Sequence, residues 1–406
     1  MRSKAHVRSR NKTQLLYDEA SEVIYRARIA ARKGRLADEI DDVRRVIKRI
    51  SKFDFNRLSA ELSRLLIWYY YNHANDKRRG QKYEELYFHH AHLAQVEESL
   101  EVKYARIGTR IKSTINPRQD LKDELTKLCE EVKPYLEYNN AAISIMVFAL
   151  QIVNANFQKN HLEYIRICQA AIVFLRGKGI RKETTFYLMM QPRMIQSGLF
   201  EEAAISIEKS METTNRGSNN YYRILYHQIL LELYRGQYQQ AQELYSSIGR
   251  IKDKTVAEQF RILRGYFSFL NRIGITSSTD KFQLYKFINE VPIFSQDKSG
   301  HNVNILVLQF LYYLGKDNGQ IIDKIDAIEL YRKRHVSGRS AIFLKMLWKI
   351  LHYQFNMVAV RYRTVKDLEK LRSMPPNIDF EVIPYETLWE MVLNFLEDPT
   401  ACESRN

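Results

Sequence analysis

Apolar positions along the middle of the chain recur with a helical period and are interrupted at regular intervals by a turn residue. From residue 142 to 290, apolar side chains recur three and four residues apart, which is the spacing of one face of an α-helix. The interruptions are Asn160, Gly198, Gly236 and Gly274, which stand 38 residues apart. Gly and Asn most readily take the left-handed conformation that ends a helix. The pattern therefore predicts four helical hairpins with a left-handed residue at each turn.

Side chains around the four turns follow the same frame. Two residues after the turn come Leu162, Phe200, Tyr238 and Thr276. Five residues after it come Ile165, Ala203, Ala241 and Thr279. Twelve residues before it, in the first helix, come Phe148, Phe186, Ile224 and Ile262. At Gly236 the spacing places Tyr238, Ala241 and Tyr245 on one stripe of the second helix, so that a small residue lets the helices approach and an aromatic ring closes the opening at the turn.

This frame resembles the tetratricopeptide repeat, a stack of antiparallel helix pairs, over residues 142–290. The resemblance implies an all-α fold whose hairpins stack into an α-α superhelix, or α-solenoid. Two features depart from the family. The period is 38 residues, whereas the family's is about 34. Seven residues before the turn, where the family has a small residue, this chain has Val153, Gln191, Ile229 and Phe267.

The resemblance also implies a concave groove, lined by the first helices of successive repeats, that holds a peptide or a partner protein. The groove positions become basic and aromatic toward the C-terminal repeats. The candidate partner-binding residues are Arg223, Tyr226, Tyr234, Arg261, Arg264 and Arg272. Arginines would pair with acidic groups and tyrosines would act as anchors, so the expected partner is an acidic protein or peptide segment. The alternative is that these arginines form a solvated basic face.

The rest of the chain predicts further helices on both sides of the repeats. We expect three regions: residues 1–140 with degenerate repeats and a basic arm at 1–12, the repeats at 141–290, and degenerate hairpins at 291–406. Gly34 marks another possible turn. The segments 341–355 and 358–371 form a pair, and Tyr385–Leu396 forms a final helix that would cover the exposed end of the array.

Composition agrees with a helical protein without membrane spans. Only 15 Gly and 8 Pro occur among 406 residues, too few for the turns of a sandwich or barrel. The longest nearly apolar run, Ala141–Val153, is shorter than the about 20 residues that a spanning helix needs. No apolar signal segment follows the basic N-terminus, and three widely spaced cysteines fit a reducing compartment. We therefore expect a cytoplasmic protein that does not insert into membranes.

The net charge of +16 allows a second interpretation, a nucleic-acid-associated or regulatory protein. The first twelve residues carry five basic residues and no acidic one. Tyr69, Tyr70 and Tyr71 precede Lys77–Arg79, and aromatic rings among basic residues can stack on bases. Packing between helices is the commoner role of such tyrosines.

Candidate chemistry is sparse. The sequence has no nucleophile elbow, phosphate loop or HExxH motif, and Gly177-Lys178-Gly179 lacks the spacing of a phosphate site. Glu85, His89 and His92 would share a helix face, with His90 beside them, but a metal needs three or four ligands with outer support. We expect no catalytic residues, no cofactor and no metal. The leading hypothesis is a non-catalytic helical-repeat protein that binds another protein or a peptide.

Overall fold

All regular structure in the described part of the chain is helical. The computed structural model describes residues 12–113, 119–180, 182–277, 301–314, 325–379 and 381–397. Within these ranges the chain forms 17 α-helices and two short 3₁₀ helices, which confirms the all-α fold class. It divides into two compact units, one ending at Asn160 and the other beginning at His161. Predictions about the basic arm up to residue 11, Thr279 and Cys402 lie outside the described residues.

The first unit contains six α-helices around two apolar clusters. The helices are α1 (Lys12–Arg32), α2 (Ile40–Ile50), α3 (Asn56–Asn72), α4 (Lys77–Ser113), α5 (Gln119–Val132) and α6 (Ala141–Phe157), with 3₁₀ turns at Leu36–Glu39 and Lys133–Tyr138. One cluster joins α1, α2 and α3, and the other joins α4, α5 and α6. Helix α4 serves both, because Tyr83 packs on the first cluster while Leu93 and Leu100 belong to the second.

The turn predicted at Gly34 is confirmed. Gly34 has φ +71°, and the Arg35 N–H donates to the Ala30 carbonyl at 2.8 Å. This hydrogen bond closes the end of α1.

The second unit contains eleven described α-helices. They are α7 (His161–Gly177), α8 (Glu183–Gln196), α9 (Phe200–Thr213), α10 (Asn219–Tyr234), α11 (Tyr238–Ser246), α12 (Lys254–Arg272), α13 (His301–Tyr313), α14 (Ile325–His335), α15 (Gly338–His352), α16 (Met357–Arg372) and α17 (Tyr385–Glu397). Each of α7 to α10 packs against the next helix in the chain. Helix α10 also packs against α8 and α12, which is the contact pattern of consecutive hairpins lying side by side.

The predicted turns at Gly198, Gly236 and Gly274 are confirmed at a spacing of 38 residues. Their φ values are +73°, +76° and +78°. At each turn the following residue donates its N–H to a carbonyl five residues earlier, at 2.8–2.9 Å: Leu199 to Met194, Gln237 to Glu232 and Ile275 to Leu270. The same backbone motif therefore ends α8, α10 and α12. The small residues of the frame, Ala203 and Ala241, are fully buried.

The prediction that Asn160 is the left-handed residue of the first window is wrong. Lys159, one position earlier, has φ +56°, and the Asn160 N–H closes the helix end on Ala155 at 2.9 Å. Helix α6 ends at Phe157, so the frame of this window moves back by one residue. Leu162 is consequently 65% exposed, while Tyr164 and Cys168 point inward. Burial of the apolar face of α7, rather than the preference of Asn for this conformation, sets the register.

Helices α15, α16 and α17 occupy the predicted C-terminal segments. The rings of Tyr385 in α17 and Phe343 in α15 stack with centroids 4.2 Å apart. The ring centroids of Phe395 and of Phe269 in α12 lie 6.5 Å apart. Arg361 Nε of α16 lies 2.6 Å from Glu397 Oε1. The predicted final helix is therefore present and packs on α12, α15 and α16. Its role as a cap over the end of an array stays a prediction.

Candidate partner-binding site

The six candidate residues lie on two helices that pack side by side, α10 and α12. Arg223 and Arg261 are exposed, and the other four are partly buried: Tyr226, Tyr234, Arg264 and Arg272. The ring of Tyr226 meets the ring of Phe260 edge-on, with centroids 5.7 Å apart. This aromatic contact joins the two helices between their arginines.

A cavity of about 520 Å³ lies against α12 and contains two of the predicted arginines. Its described lining comes from α11, from the turn after it and from one face of α12, and it includes Arg261 and Arg264. The cavity has aromatic walls, Tyr245, Phe260 and Phe267, and polar groups from Ser246, Ser268 and Asn271. None of the lining residues that the structure describes is acidic.

Helical periodicity explains why the arginines reach this cavity. Ala257, Arg261, Arg264, Ser268 and Asn271 are spaced three or four residues apart, so they share one face of α12. The other faces are buried. On one of them the Tyr266 hydroxyl donates to Asn304 of α13 at 2.8 Å, which fixes the rotation of α12.

Gln242 adds a buried polar group to the cavity. Its side chain lines the cavity from α11, the residue is only 5% exposed, and its Oε1 has no hydrogen-bond partner among the described groups. A buried acceptor without a donor costs about 1–3 kcal/mol. Sequence inspection missed Gln242, because a glutamine on a helix between other polar residues carries no signal of burial.

Arg272 makes hydrogen bonds and ring contacts within the second unit. Its Nη1 donates to the Tyr312 carbonyl at 2.8 Å, and Nη2 bonds the Leu311 carbonyl. The guanidinium also lies over the rings of Phe395 and Phe269, at 5.1 and 5.6 Å from their centroids. Arg272 therefore donates to carbonyls at the C-terminal end of α13, because the last carbonyls of a helix have no N–H partner within that helix.

Tyr234 holds an irregular segment of this same chain. Its hydroxyl donates to the Glu381 carbonyl at 2.9 Å, and burial, with Glu381 nearby, holds the pKa of the phenol well above its usual range. We name residues 377–379 and 381–384 the acidic segment, because they carry Asp379 and Glu381. Tyr234 and Arg272 thus have contacts inside the chain, and a further role in partner binding stays a prediction.

The acidic segment also contacts α8 and lies beside Tyr226. Arg193 donates to Asp379 at 3.0 Å, and its guanidinium lies 5.8 Å from the centroid of the Tyr164 ring. Burial raises the pKa of the Tyr226 phenol, and the Asp379 carboxylate raises it further. In the sequence this stretch follows two prolines, Pro375 and Pro376, and carries no signal of these contacts.

A buried polar network lies beneath Arg223 and links α8, α9 and α10. Gln191 is fully buried, and its Nε2 donates to Ser210 Oγ at 2.9 Å. Its Oε1 lies 2.9 Å from His227 Nδ1, so this histidine nitrogen carries the proton. Burial, followed by the charge of Arg223, lowers the pKa of His227 to about 3. Gln191, seven residues before Gly198, thus bridges three helices.

The aromatic and basic cluster of the first unit is engaged internally only in part. Tyr70 is buried, accepts from Arg44 Nε at 2.9 Å and stacks on Tyr83 with centroids 5.6 Å apart. Tyr71 is exposed and its hydroxyl donates to Glu84 at 2.9 Å, and Lys77–Arg79 are exposed as well. The described contacts therefore give Tyr70 a packing role, and binding of bases by the rest of the cluster stays a prediction.

The histidine cluster does not converge on one point. His90 Nδ1 lies 3.2 Å from Asn56 Oδ1, whereas His92 Nε2 lies 3.0 Å from the Tyr138 hydroxyl. Among the residues with described positions, no group of three or more His, Cys, Asp or Glu side chains is arranged to hold a metal ion.

Within the described ranges, no helix combines the length and the apolar character that crossing a membrane requires.

Comparisons with known proteins give no match for this chain. The sequence matches no family model, and neither the curated proteins nor the solved structures give a match.

Proposed function

We propose that this chain is a non-catalytic binding protein whose stacked hairpins form a tetratricopeptide-like superhelix and present a basic, aromatic face to an acidic segment of a partner protein. The face consists of Arg223 and Tyr226 on α10 with Arg261 and Arg264 on α12. The confirmed turns at 38-residue intervals and the packing of α10 on both α8 and α12 support the stacking.

The observation that carries the proposal is the acidic segment that α8 and α10 already hold. Arg193 pairs with Asp379, Tyr234 bonds the Glu381 backbone, and the Asp379 carboxylate lies close enough to Tyr226 to raise the pKa of its phenol. Helices α8 and α10 therefore hold a segment that carries acidic residues through one ion pair and one tyrosine hydrogen bond. The proposed face continues from Tyr226 with the same residue types, arginine and tyrosine.

A partner can bind this face without displacing the acidic segment. Arg223 and Arg261 are exposed, whereas the acidic segment is held by Arg193, Tyr234 and Arg339. A charge-assisted hydrogen bond contributes about 1.5–3 kcal/mol, so each arginine that contacts a carboxylate should matter by about ten-fold or more in affinity.

Purification of the native complex from the cells of origin, followed by a binding series, tests the proposal. Arg223→Ala and Arg261→Ala should each weaken binding of the co-purified partner by about ten-fold or more. Arg216→Ala is the matched control, because Arg216 is exposed in the same unit but outside the face. Its substitution should change affinity less than about three-fold.

The same series includes deletion of residues 1–12 at two salt concentrations. If binding withstands both arginine substitutions, collapses on the deletion and falls steeply with salt, the partner is a nucleic acid and the proposed face is not the binding site.

A further inference from the structure

We propose that the exposed face of α16 is a second docking surface, which takes an amphipathic helix of another protein with acidic residues along one edge. This surface lies on a different helix from the face on α10 and α12, and it does not depend on that face. Three observations support it: an apolar row on α16, the spacing within that row and the charges beside it.

Three apolar side chains lie exposed on one face of α16. Val358, Tyr362 and Val365 are 83%, 76% and 48% exposed, and we name them the apolar row. Val360 and Leu371 on the opposite face are buried, so the packing of α16 in the second unit leaves the row outside. Valine is a weak helix former, and a valine that is 83% exposed gains little from packing. Neither helix propensity nor internal packing therefore accounts for the row.

The spacing within the apolar row favours a helix as its occupant. The intervals are four and three residues, which is the spacing of the seam between two helices packed along each other. The next seam position is Glu369, which is exposed. An anionic bilayer would repel this carboxylate, whereas a helix can place a basic or polar residue opposite it.

A basic edge runs beside the apolar row. It consists of Arg363, Lys366 and Lys370, which are exposed, and no carboxylate of the described residues pairs with any of these three side chains. The Arg363 guanidinium lies 5.8 Å from the centroid of the Tyr362 ring, so the edge borders the row directly. The basic edge therefore offers charge-assisted contacts to acidic side chains of an occupant.

The other edge of α16 shows how a helix satisfies such charges. There Arg361 and Arg372 pair with Glu397 and Glu390 of α17, with N–O distances of 2.6 and 3.7 Å. Helix α17 is amphipathic, since its apolar side chains are buried while these glutamates reach the surface. A helix with the same arrangement, docked on the apolar row, would pair its acidic residues with the basic edge.

A second copy of this chain matches the surface less well. In a symmetric antiparallel pair of α16 helices each edge faces its own counterpart, so the basic edge would meet another basic edge. In a parallel pair the basic edge would face the edge of Arg361 and Arg372, which is also basic. Like charges placed opposite each other disfavour both pairings, so the charges favour a different, acidic partner helix.

Photo-crosslinking to the full chain tests the inference. The photo-reactive residue p-benzoylphenylalanine replaces Tyr362, and the probes are two designed helical peptides with leucines at the spacing of the apolar row. One peptide has glutamates along one edge, and the other has lysines at the same positions. The glutamate peptide should be crosslinked at least ten-fold more efficiently. The same photo-reactive residue in place of Tyr25, which is 67% exposed in the first unit, is the control and should capture neither peptide.

Charge reversal and loss of the apolar row separate recognition from stability. The double variant Lys366→Glu with Lys370→Glu should reverse the preference, so that the lysine peptide is captured instead. Val358→Gln should weaken capture of the glutamate peptide at least five-fold with an unchanged Tm, because this side chain is exposed. Val173→Gln on α7 is the matched control, since Val173 is 71% exposed outside this surface, and it should leave capture unchanged.

Several outcomes would overturn the inference. They include no capture of the glutamate peptide at millimolar concentration, and equal capture of the two peptides. Capture that is lost in Arg223→Ala but kept in the charge-reversed chain would place the peptide on the face of α10 and α12. A dimer in sedimentation that Val358→Gln dissociates would assign the apolar row to a second copy. Flotation with vesicles of equimolar phosphatidylcholine and phosphatidylserine that Val358→Gln abolishes would assign it to a membrane.

Discussion

Arg339 of α15 and Glu381 of the acidic segment form a bidentate ion pair inside the second unit. The Nε–Oε1 and Nη2–Oε2 distances are 2.7 and 3.0 Å, and the side chains are 3% and 0% exposed. Arg339 also donates to Glu386 at 2.6 Å and to the Leu371 carbonyl. Burial opposes the charge of Arg339, but its carboxylate partners raise its pKa above the ordinary value. One arginine thus joins the end of α16, the acidic segment and the start of α17.

We expect Arg339→Met to destabilise the protein by about 3–5 kcal/mol, because it leaves the Glu381 carboxylate buried without its partner. The free energies of unfolding of the parent chain and the variant, measured by urea denaturation, give this loss. The double variant Arg339→Met with Glu381→Leu should recover a large part of it, since neither charge is then buried alone. If the double variant is no more stable than the single one, the ion pair is not what holds the segment.

Sequence patterns were sufficient for the glycine turns, placed the turn at Asn160 one residue too late, and were insufficient for contacts between distant elements. Gly236 was predictable because a left-handed turn gives glycine a local reason to be there. Tyr234 and Arg193 find their partners 147 and 186 residues away, and no local period encodes such pairs. The cavity shows both cases. Arg261 and Arg264 followed from the repeat frame, whereas Gln242 is special only through its burial.

The corrected register of the first window predicts opposite effects at adjacent positions. Lys159→Gly should stabilise the protein by about 0.5–1 kcal/mol, because Gly relieves a left-handed strain of about 1–2 kcal/mol and loses part of that gain to unfolded-state entropy. Asn160→Gly should destabilise it by at least about 0.5–1 kcal/mol, because Asn160 is not left-handed and Gly adds entropy to the unfolded chain. Thermal melts of both variants measure the difference. The reverse order would restore Asn160 as the turn residue.

The hairpin at Gly236 predicts a strong position dependence on α11. Ala241 is fully buried, so Ala241→Trp should overpack the hairpin and cost about 1–3 kcal/mol. Gln240→Trp places the same ring on the exposed face and should change stability by less than about 0.5 kcal/mol. Chemical denaturation of the two variants makes the comparison. Equal stability would contradict the packing frame.

The network at His227 predicts that acid weakens the second unit before most carboxylates are protonated. The pKa of His227 is about 3 in the folded chain, mainly through burial, and about 6.5 is usual in an unfolded one. Between these values the unfolded state binds a proton that the folded state does not, so stability falls as the pH decreases from about 6.5 toward 3. At pH 5 the loss should reach up to about 2 kcal/mol relative to neutral pH.

The measurement is the urea midpoint at pH 7 and pH 5 for the parent chain and for His227→Gln. Because Gln keeps an N–H donor for Gln191 and does not titrate, the variant should lose less stability between the two pH values. His92→Gln is the control, since His92 lies in the first unit outside this network and contacts Tyr138. If His227→Gln loses as much stability between pH 7 and pH 5 as the parent chain, the lowered pKa of His227 is not the cause of the acid sensitivity.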